Sequence, residues 1–251
     1  MNTNDIVLRR ASVDDAEQIF ALKRSVFGST SLPFTIYQAE ESLNYLKDII
    51  PTDRFVVAVL TSEVVGYYHA IQRENALLLN YIATSSQHRG NCIGTRLLQD
   101  CQTAAEGAGV GAVELEVFES NAAAVSWYEK NGFKVVRGTH WYRISTRYIP
   151  PVDAPATVFD SELSGALAEE RRRGFSKIAC SWQGRQLVVG LIARHTCKLL
   201  ESNDTAPQEV AGMISSLFPS REYLVISSPE SLKTAPSFIG HEHSFRMRKT
   251  L

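Results

Sequence analysis

The stretch that most constrains this chain is Thr84-Ser85-Ser86-Gln87-His88-Arg89-Gly90-Asn91-Cys92-Ile93-Gly94-Thr95-Arg96-Leu97-Leu98. It reads as the end of a strand, a glycine-containing turn and the first turn of a helix. A helix leaves the N–H groups of its first turn without intrahelical partners, and the positive end of its dipole lies behind them. A turn of this kind aims those donors at one point, which suits a phosphate or pyrophosphate and needs no metal.

Elements before and after the turn extend the α/β reading. Ile6-Val7-Leu8-Arg9 is a short strand, and Ser12 caps a helix carrying Asp14, Asp15 and Glu17 ahead of Ile19, Phe20, Leu22 and Val26. A loop around Gly28-Ser29-Thr30-Ser31-Leu32-Pro33 leads to a second helix over 36–49. Strands at 54–60, 64–72 and 76–83 follow, the first two joined as a hairpin by Thr61-Ser62-Glu63. The helix after the glycine turn puts Leu97, Leu98, Cys101, Ala105 and Ala108 on one side, and the glycines at 107, 109 and 111 end it. Those glycines follow a helix and precede a strand, the reverse of a dinucleotide fingerprint. A strand at 112–118, a helix at 121–130 and a hairpin of 133–136 with 140–145 complete the order βααβββαβαββ.

Pro150-Pro151 and Pro155 mark a linker, so the expected domains are 1–148 and 155–251. The second holds a helix at 161–173, strands at 177–183, 186–194 and 195–200, a helix at 207–217 and strands at 223–227 and 244–249. His140-Trp141-Tyr142-Arg143-Ile144 matches His243-Ser244-Phe245-Arg246-Met247 at an offset of 103, so the smaller C-terminal α/β unit is read as a degenerate, partial copy of the first. It has no second glycine turn of the Arg89–Gly94 kind. Its strand Tyr223-Leu224-Val225-Ile226-Ser227 carries no glutamate. A packing, dimerising or acceptor-shaping role is expected of it, and a homodimer is compatible with the sequence.

Composition narrows the partners. Of 251 residues, 44% are hydrophobic and 21% charged, enough for a packed core, and the net charge of −1 argues against a general binder of nucleic acid or membrane surfaces. No apolar run approaches the roughly 18 residues of a membrane span, and Met1-Asn2-Thr3-Asn4-Asp5 does not read as a signal peptide. Cys92, Cys101, Cys180 and Cys197 form no CxxC pair, and the first two lie about 13 Å apart along one helix. A cytoplasmic protein with reduced thiols is expected. His241-Glu242-His243 offers two imidazoles, too few for a metal site by themselves.

Two motifs in this order carry a resemblance. Arg89-Gly90-Asn91-Cys92-Ile93-Gly94 is similar to the Arg/Gln-x-x-Gly-x-Gly/Ala motif of the GNAT superfamily, the Gcn5-related N-acetyltransferases. Leu115-Glu116-Val117, then Ser120-Asn121-Ala122-Ala123-Ala124 and Tyr128-Glu129-Lys130-Asn131-Gly132-Phe133, resemble the branch that acetylates protein N-termini, including ribosomal-protein alanine acetyltransferases. The implied fold is an α+β mixed sheet whose fourth and fifth strands splay apart, with the pantetheine arm of acetyl-CoA in the gap. The resemblance implies that Arg89, Gly90, Asn91, Cys92, Ile93, Gly94 and Thr95 hold the pyrophosphate. Backbone groups at Ile82, Ala83 and Thr84 would polarise the thioester carbonyl, and Asn121 and Ala124 would contact the cofactor arm. Tyr128 is implied as general acid to the leaving thiolate and Glu116 as general base through water. Cys92 departs from the family's glycine; a right-handed helical φ, which suits any L-residue, is expected there.

The implied reaction transfers an acetyl group from acetyl-CoA to a primary amine: a peptide N-terminus, a small metabolite or an antibiotic amine. The amine must attack while neutral. At pH 7 that costs a lysine about 4–5 kcal/mol and an α-amino group about 1 kcal/mol, which a base offsets. On residue pattern alone Tyr128 also fits a core aromatic and Glu116 a solvated strand face, while His69 and Glu74 are alternative bases and Asn80 can line the acceptor cleft. Acceptor choice is assigned to 27–34, 67–73 and the hairpin at 138–142. Arg171-Arg172-Arg173 sits at a helix C-terminus, where cations favour the dipole. The competing class is a non-catalytic acyl-CoA-sensing or scaffold protein.

Overall fold

The computed structural model describes residues 5–27, 32–149, 160–182, 184–201, 207–232 and 237–251. The expected loop residues 28–31 and the proline linker 150–155 lie outside them. The chain divides into two compact units, one drawn from Met1–Ser31, Leu46–Gly138 and Ser244–Leu251, the other from Leu32–Tyr45 and Thr139–His243. These bounds differ from the consecutive segments 1–148 and 155–251, because the chain crosses between the units more than once.

In the first unit, strands β1 (Ile6–Arg10), β2 (Arg54–Leu60), β3 (Glu63–Gln72) and β4 (Leu77–Thr84) pair antiparallel in sequence order. Strand β5 (Ala112–Phe118) then runs parallel to β4 and takes the last strand, β11 (Phe238–Thr250), antiparallel on its other side through Ser244–Thr250. Helix α1 (Ala16–Val26) packs on β3 and β4. A short 3-10 turn at Val13–Asp15 precedes it, where the Asp15 carboxylate accepts from Ser12 N–H and from Arg9 Nη1 and Nη2. Helix α3 (Ile93–Gly107) packs on β3, β4 and β5, and α4 (Ala122–Lys130) packs on β5.

The core on the α3 side is set by alternation. Leu77 and Leu79 of β4, Val113, Leu115 and Val117 of β5, Met247 of β11 and Leu97, Leu98 and Cys101 of α3 form one buried cluster. Each such large side chain contributes about 1.5–3 kcal/mol on leaving water. The intervening residues Glu114 and Glu116 therefore open on the opposite face.

The second helix is shorter than the expected 36–49. Helix α2 spans Ser42–Ile49, because the Gln38 amide donates to the carbonyls of Pro33 and Thr35 and holds the preceding chain as a turn. The expected hairpin at 133–145 is also corrected: β6 is one strand, Lys134–Ser145. Gly138, read as a turn residue, is tolerated inside an extended strand, and the chain does not reverse there.

The second unit contains α5 (Asp160–Arg173) and an antiparallel meander of β7 (Phe175–Trp182), β8 (Arg185–Ile192) and β9 (Thr196–Glu201). Helix α6 (Pro207–Leu217) then leads to β10 (Tyr223–Ser228), which runs parallel to β9 and pairs antiparallel with β6 over His140–Ser145. A buried ion pair holds α5 to the segment before β10: the Arg221 guanidinium donates to both Glu170 oxygens at 2.6 and 2.7 Å, with each side chain almost fully buried.

The order β7–β8–β9–α6–β10 repeats β2–β3–β4–α3–β5, three antiparallel strands, a helix and a parallel strand. The two matching pentapeptides are the closing strands of the two units, and they are exchanged. His140–Ile144 closes the second unit against β10, and Ser244–Met247 closes the first against β5. Their registers agree: Ile144 faces Leu224 and Arg143 faces Val225, as Met247 faces Leu115 and Arg246 faces Glu116. The second unit thus has Val225 where the first has Glu116.

Candidate active site

The pairing of β4 with β5 covers only Leu77↔Val113, Leu78↔Glu114 and Leu79↔Leu115. Beyond Leu79 and Leu115 the two strands are not hydrogen-bonded, although both continue to Thr84 and Phe118. Ile82, Ala83 and Thr84 stay paired with β3 on their other side, so their alternating N–H and C=O groups on the β5 side are open to a ligand.

The glycine turn lies at the end of β4. Gly90 has φ +81, and its missing Cβ leaves open space. Cys92, the N-cap of α3, has φ +55 and ψ +14. That corrects the expectation of a right-handed φ: cysteine occupies the left-handed conformation that glycine adopts without cost, at a penalty of about 1–2 kcal/mol. The backbone accepts this strain because α3 is held tightly from behind. A Cβ on Gly66 of β3 would stand 2.9 Å from Ile93 and 3.1 Å from Leu97. The first i→i+4 bond of α3 runs from Arg96 N–H to Cys92 C=O, so the N–H groups of Ile93, Gly94 and Thr95 precede the helical ladder and point out of its end. Arg89 and Cys92 are exposed beside them, and the Asn91 amide donates to the His88 carbonyl. This donor set, cradle and gap fit the pyrophosphate and extended arm of an acyl-CoA.

Asn121 is exposed and caps α4, its side-chain oxygen accepting from Ala124 N–H at 3.3 Å. Tyr128, in the last turn of α4, is 7% exposed and belongs to the same cluster as Leu79, Leu115 and Val117. Its ring lies 4.9 Å from Trp127 and 5.6 Å from Phe133. Burial pushes the phenol well above its ordinary value, with nearby Cys101 adding to the shift, so it stays protonated. Glu116 sits on the other face of β5, exposed, at the first position beyond the β4 pairing. Its Oε1 accepts from Ser244 Oγ at 2.5 Å and its Oε2 from Arg246 Nη2 at 2.9 Å. Glu114 pairs with Arg248 and Arg246 beside it.

Across the gap, β4 carries a β-bulge. Ala70 pairs with Leu79 and His69 with Tyr81, which leaves Asn80 as the extra residue, exposed. The Asn80 amide lies 3.2 Å from His69 Nδ1, and His69 Nε2 lies 2.8 Å from Asp53 Oδ2. His69 is 2% exposed and stacks on Phe55 with centroids 4.1 Å apart. Burial lowers its pKa, the Asp53 hydrogen bond and charge work the other way, and Lys23 adds to the lowering. Lys23 itself is buried, with Nζ over the Tyr81 ring, and desolvation lowers its pKa well below the ordinary lysine value. Asp53, Lys23 and Tyr81 were not singled out by the sequence, and Ser244 and Arg246 entered there only as part of the repeat. Glu74 is exposed in the turn after β3, two residues beyond its end. Among the described residues no group of three histidine, cysteine or acidic side chains is placed to hold a metal ion.

A sequence model of the acetyltransferase (GNAT) family matches residues 18–133, the stretch that contains the glycine turn, the splayed strands and Tyr128. Residues 18–133 are a GNAT acetyltransferase domain. The protein accordingly carries an acyltransferase domain, of a family that uses an acyl-CoA donor. Solved structures extend the likeness of fold beyond the GNAT domain. The GCN5-related N-acetyltransferase of Sphaerobacter thermophilus is 16% identical, with a TM-score of 0.68 over 98% of this chain and 96% of that one. The GCN5-related N-acetyltransferase of Kribbella flavida is 12% identical, with a TM-score of 0.59 over 100% of this chain and 73% of that one. No curated protein matches the chain significantly. No helix among the described residues is long and apolar enough to cross a membrane.

Proposed function

We propose that the protein transfers an acetyl group from acetyl-CoA directly to a primary amine in a ternary complex. The observation that carries this reading is the end of β4–β5 pairing at Leu79 and Leu115. It opens a slot between the α3 N-terminus and Tyr128 on one side and Glu116 on the other. The donor supplies a thioester carbonyl open to attack and a thiolate leaving group.

In this reading the N–H groups of Ile93–Thr95, with Gly90, Asn91, Cys92 and Arg89, hold the pyrophosphate, while Asn121 and Ala124 border the arm. Backbone N–H groups within Ile82–Thr84 that face the gap donate to the carbonyl oxygen as negative charge develops on it. Glu116 takes the proton released by the attacking amine, through water. Tyr128 gives its proton to the departing sulfur. Its buried phenol is suited to that step, because it remains a proton donor throughout the neutral range. The second unit has Val225 at the position of Glu116 and is assigned no chemistry. With its cysteines unpaired, we place the protein in the cytoplasm.

Isothermal titration with acetyl-CoA, followed by a CoA-release assay against alanyl peptides and small primary amines, tests the proposal. Binding near one per chain together with CoA release is expected. Binding with no release to any amine would replace transfer with acyl-CoA sensing.

A further inference from the structure

We propose that Asn80 receives the acceptor amine through its side-chain oxygen, and that the Asp53–His69 pair fixes that oxygen toward the gap. This rests on the acyl-transfer reading of the site. Hydrogen-bond polarity orients the Asn80 amide. A carboxylate can only accept, so the proton between Asp53 and His69 resides on Nε2, 2.8 Å away. A neutral imidazole carries one proton, so Nδ1 presents a lone pair. The Asn80 group 3.2 Å from Nδ1 is then its NH2, and its Oδ1 must face elsewhere.

His69 cannot turn to offer a different arrangement. It is 2% exposed and stacked on Phe55 with the two planes 7° apart. Asn80, by contrast, is exposed and is the bulged residue of β4, immediately past the last β4–β5 pair. Glu116 holds the matching position on β5. Leu79 and Leu115 both face the α3 core, so the residues following them open on the other face of the sheet. An acceptor entering there faces the Asn80 amide oxygen directly and the Glu116 carboxylate through the water that relays its proton. Two acceptors suit a nucleophile with two N–H bonds to donate while its lone pair attacks. That is a neutral primary amine; a secondary amine offers one N–H and an alcohol one O–H. Asn80 is thus a binding residue for primary amines, and His69 and Asp53 are positioning residues acting through it.

The test uses the full chain labelled with 15N. In the histidine spectrum at neutral pH, the His69 signal, identified by its loss in His69→Phe, is expected to show the proton on Nε2; a proton on Nδ1 would overturn the proposal. Alanyl-phenylalaninamide titrated into the CoA-bound protein should shift the Asn80 side-chain amide signals, identified by their loss in Asn80→Asp. Unshifted signals beside normal CoA release would overturn the amine site alone. Shifted signals without CoA release would overturn acyl transfer and leave the amine site standing. In the release assay, Asn80→Leu and His69→Phe should each raise the KM for this peptide about tenfold, with acetyl-CoA affinity unchanged. Asn80→Asp should recover that KM in the His69→Phe background, because a carboxylate shows an oxygen whichever way it turns. A loss in His69→Phe that is indifferent to residue 80 would mean that His69 is merely structural. Asn80→Leu lies on the surface and keeps the proposal testable if His69→Phe does not fold.

Discussion

Arg246 of the last strand holds Glu116 of β5, Nη2 to Oε2 at 2.9 Å, one position beyond the point where β5 parts from β4. The proposed base therefore has its orientation set by residues from the far end of the chain. Glu116→Gln keeps an oxygen and an amide in that place but removes the proton acceptor. A fall in kcat/KM of about 10²-fold is expected, with acetyl-CoA affinity unchanged. An undiminished rate of CoA release would assign Glu116 to the strand face alone.

Tyr128→Phe removes one hydroxyl from a buried aromatic group and should leave the melting temperature nearly unchanged. It should lower kcat by about 10²-fold while the Kd for acetyl-CoA stays the same. Because burial raises the phenol pKa, the native enzyme should lose no activity to Tyr128 ionisation as pH climbs from 7 to 9. A pH–rate profile that falls over this interval in the native enzyme, and not in Tyr128→Phe, would contradict that assignment.

Cys92 pays for a left-handed φ that glycine would adopt freely. Cys92→Gly should therefore hold or raise stability by up to about 1 kcal/mol, the relief being partly offset by glycine's unfolded-state entropy. Cys92→Val should lower it by a similar amount, since a branched Cβ fits this conformation worst. Denaturant melts measure the first effect, and calorimetry should show acetyl-CoA binding tightened by glycine.

Asp15 gives a pH-dependent contribution whose sign is fixed by its partners. The hydrogen bonds from Arg9 lower its pKa below 3.8 against an opposing effect of burial, and the Ser12 N–H adds to the lowering. The folded state therefore holds this proton less tightly than the unfolded state. Its contribution is complete above the unfolded value and disappears as pH drops through the lowered one. Asp15→Asn should cost about 1 kcal/mol at pH 7, Arg9 being partly exposed and screened, and progressively less below pH ~4.

Arg221→Met would strand Glu170 in the interior, with the Arg194 N–H still donating to it at 2.8 Å. A loss of about 3–5 kcal/mol in urea unfolding is expected. Converting Glu170 to methionine as well should restore most of it.

Much of this architecture was legible in local pattern. The helix at 207–217 and the strand at 112–118 have the bounds that alternation and spacing indicate, because capping and periodicity act over a few residues. The glycine turn and Tyr128 were likewise visible as motifs. Other features depend on partners distant in sequence. Nothing near Glu116 signals Ser244 or Arg246, and nothing near Gly138 shows that β6 runs straight on. The Asp53–His69–Asn80 chain was hidden for a different reason. Leu77-Leu78-Leu79 is apolar on both faces, so the alternation that would have exposed the one-residue slip at Asn80 is absent. Cysteine itself carries no signal for a positive φ, and the glycine usual at that place in the GNAT motif was the one hint of the conformation at 92.

The exchange of closing strands sets a timetable for the ribosome. Ser244 follows its hydrogen-bonded partner Glu116 by 128 residues, an interval of about 6–25 s at ordinary elongation rates. Throughout it the nascent acetyltransferase sheet carries β5 as a bare edge, the kind of surface on which other chains add. Glu114 and Glu116 lie along that edge without their arginines, and their mutual repulsion opposes the stacking of one nascent β5 on another.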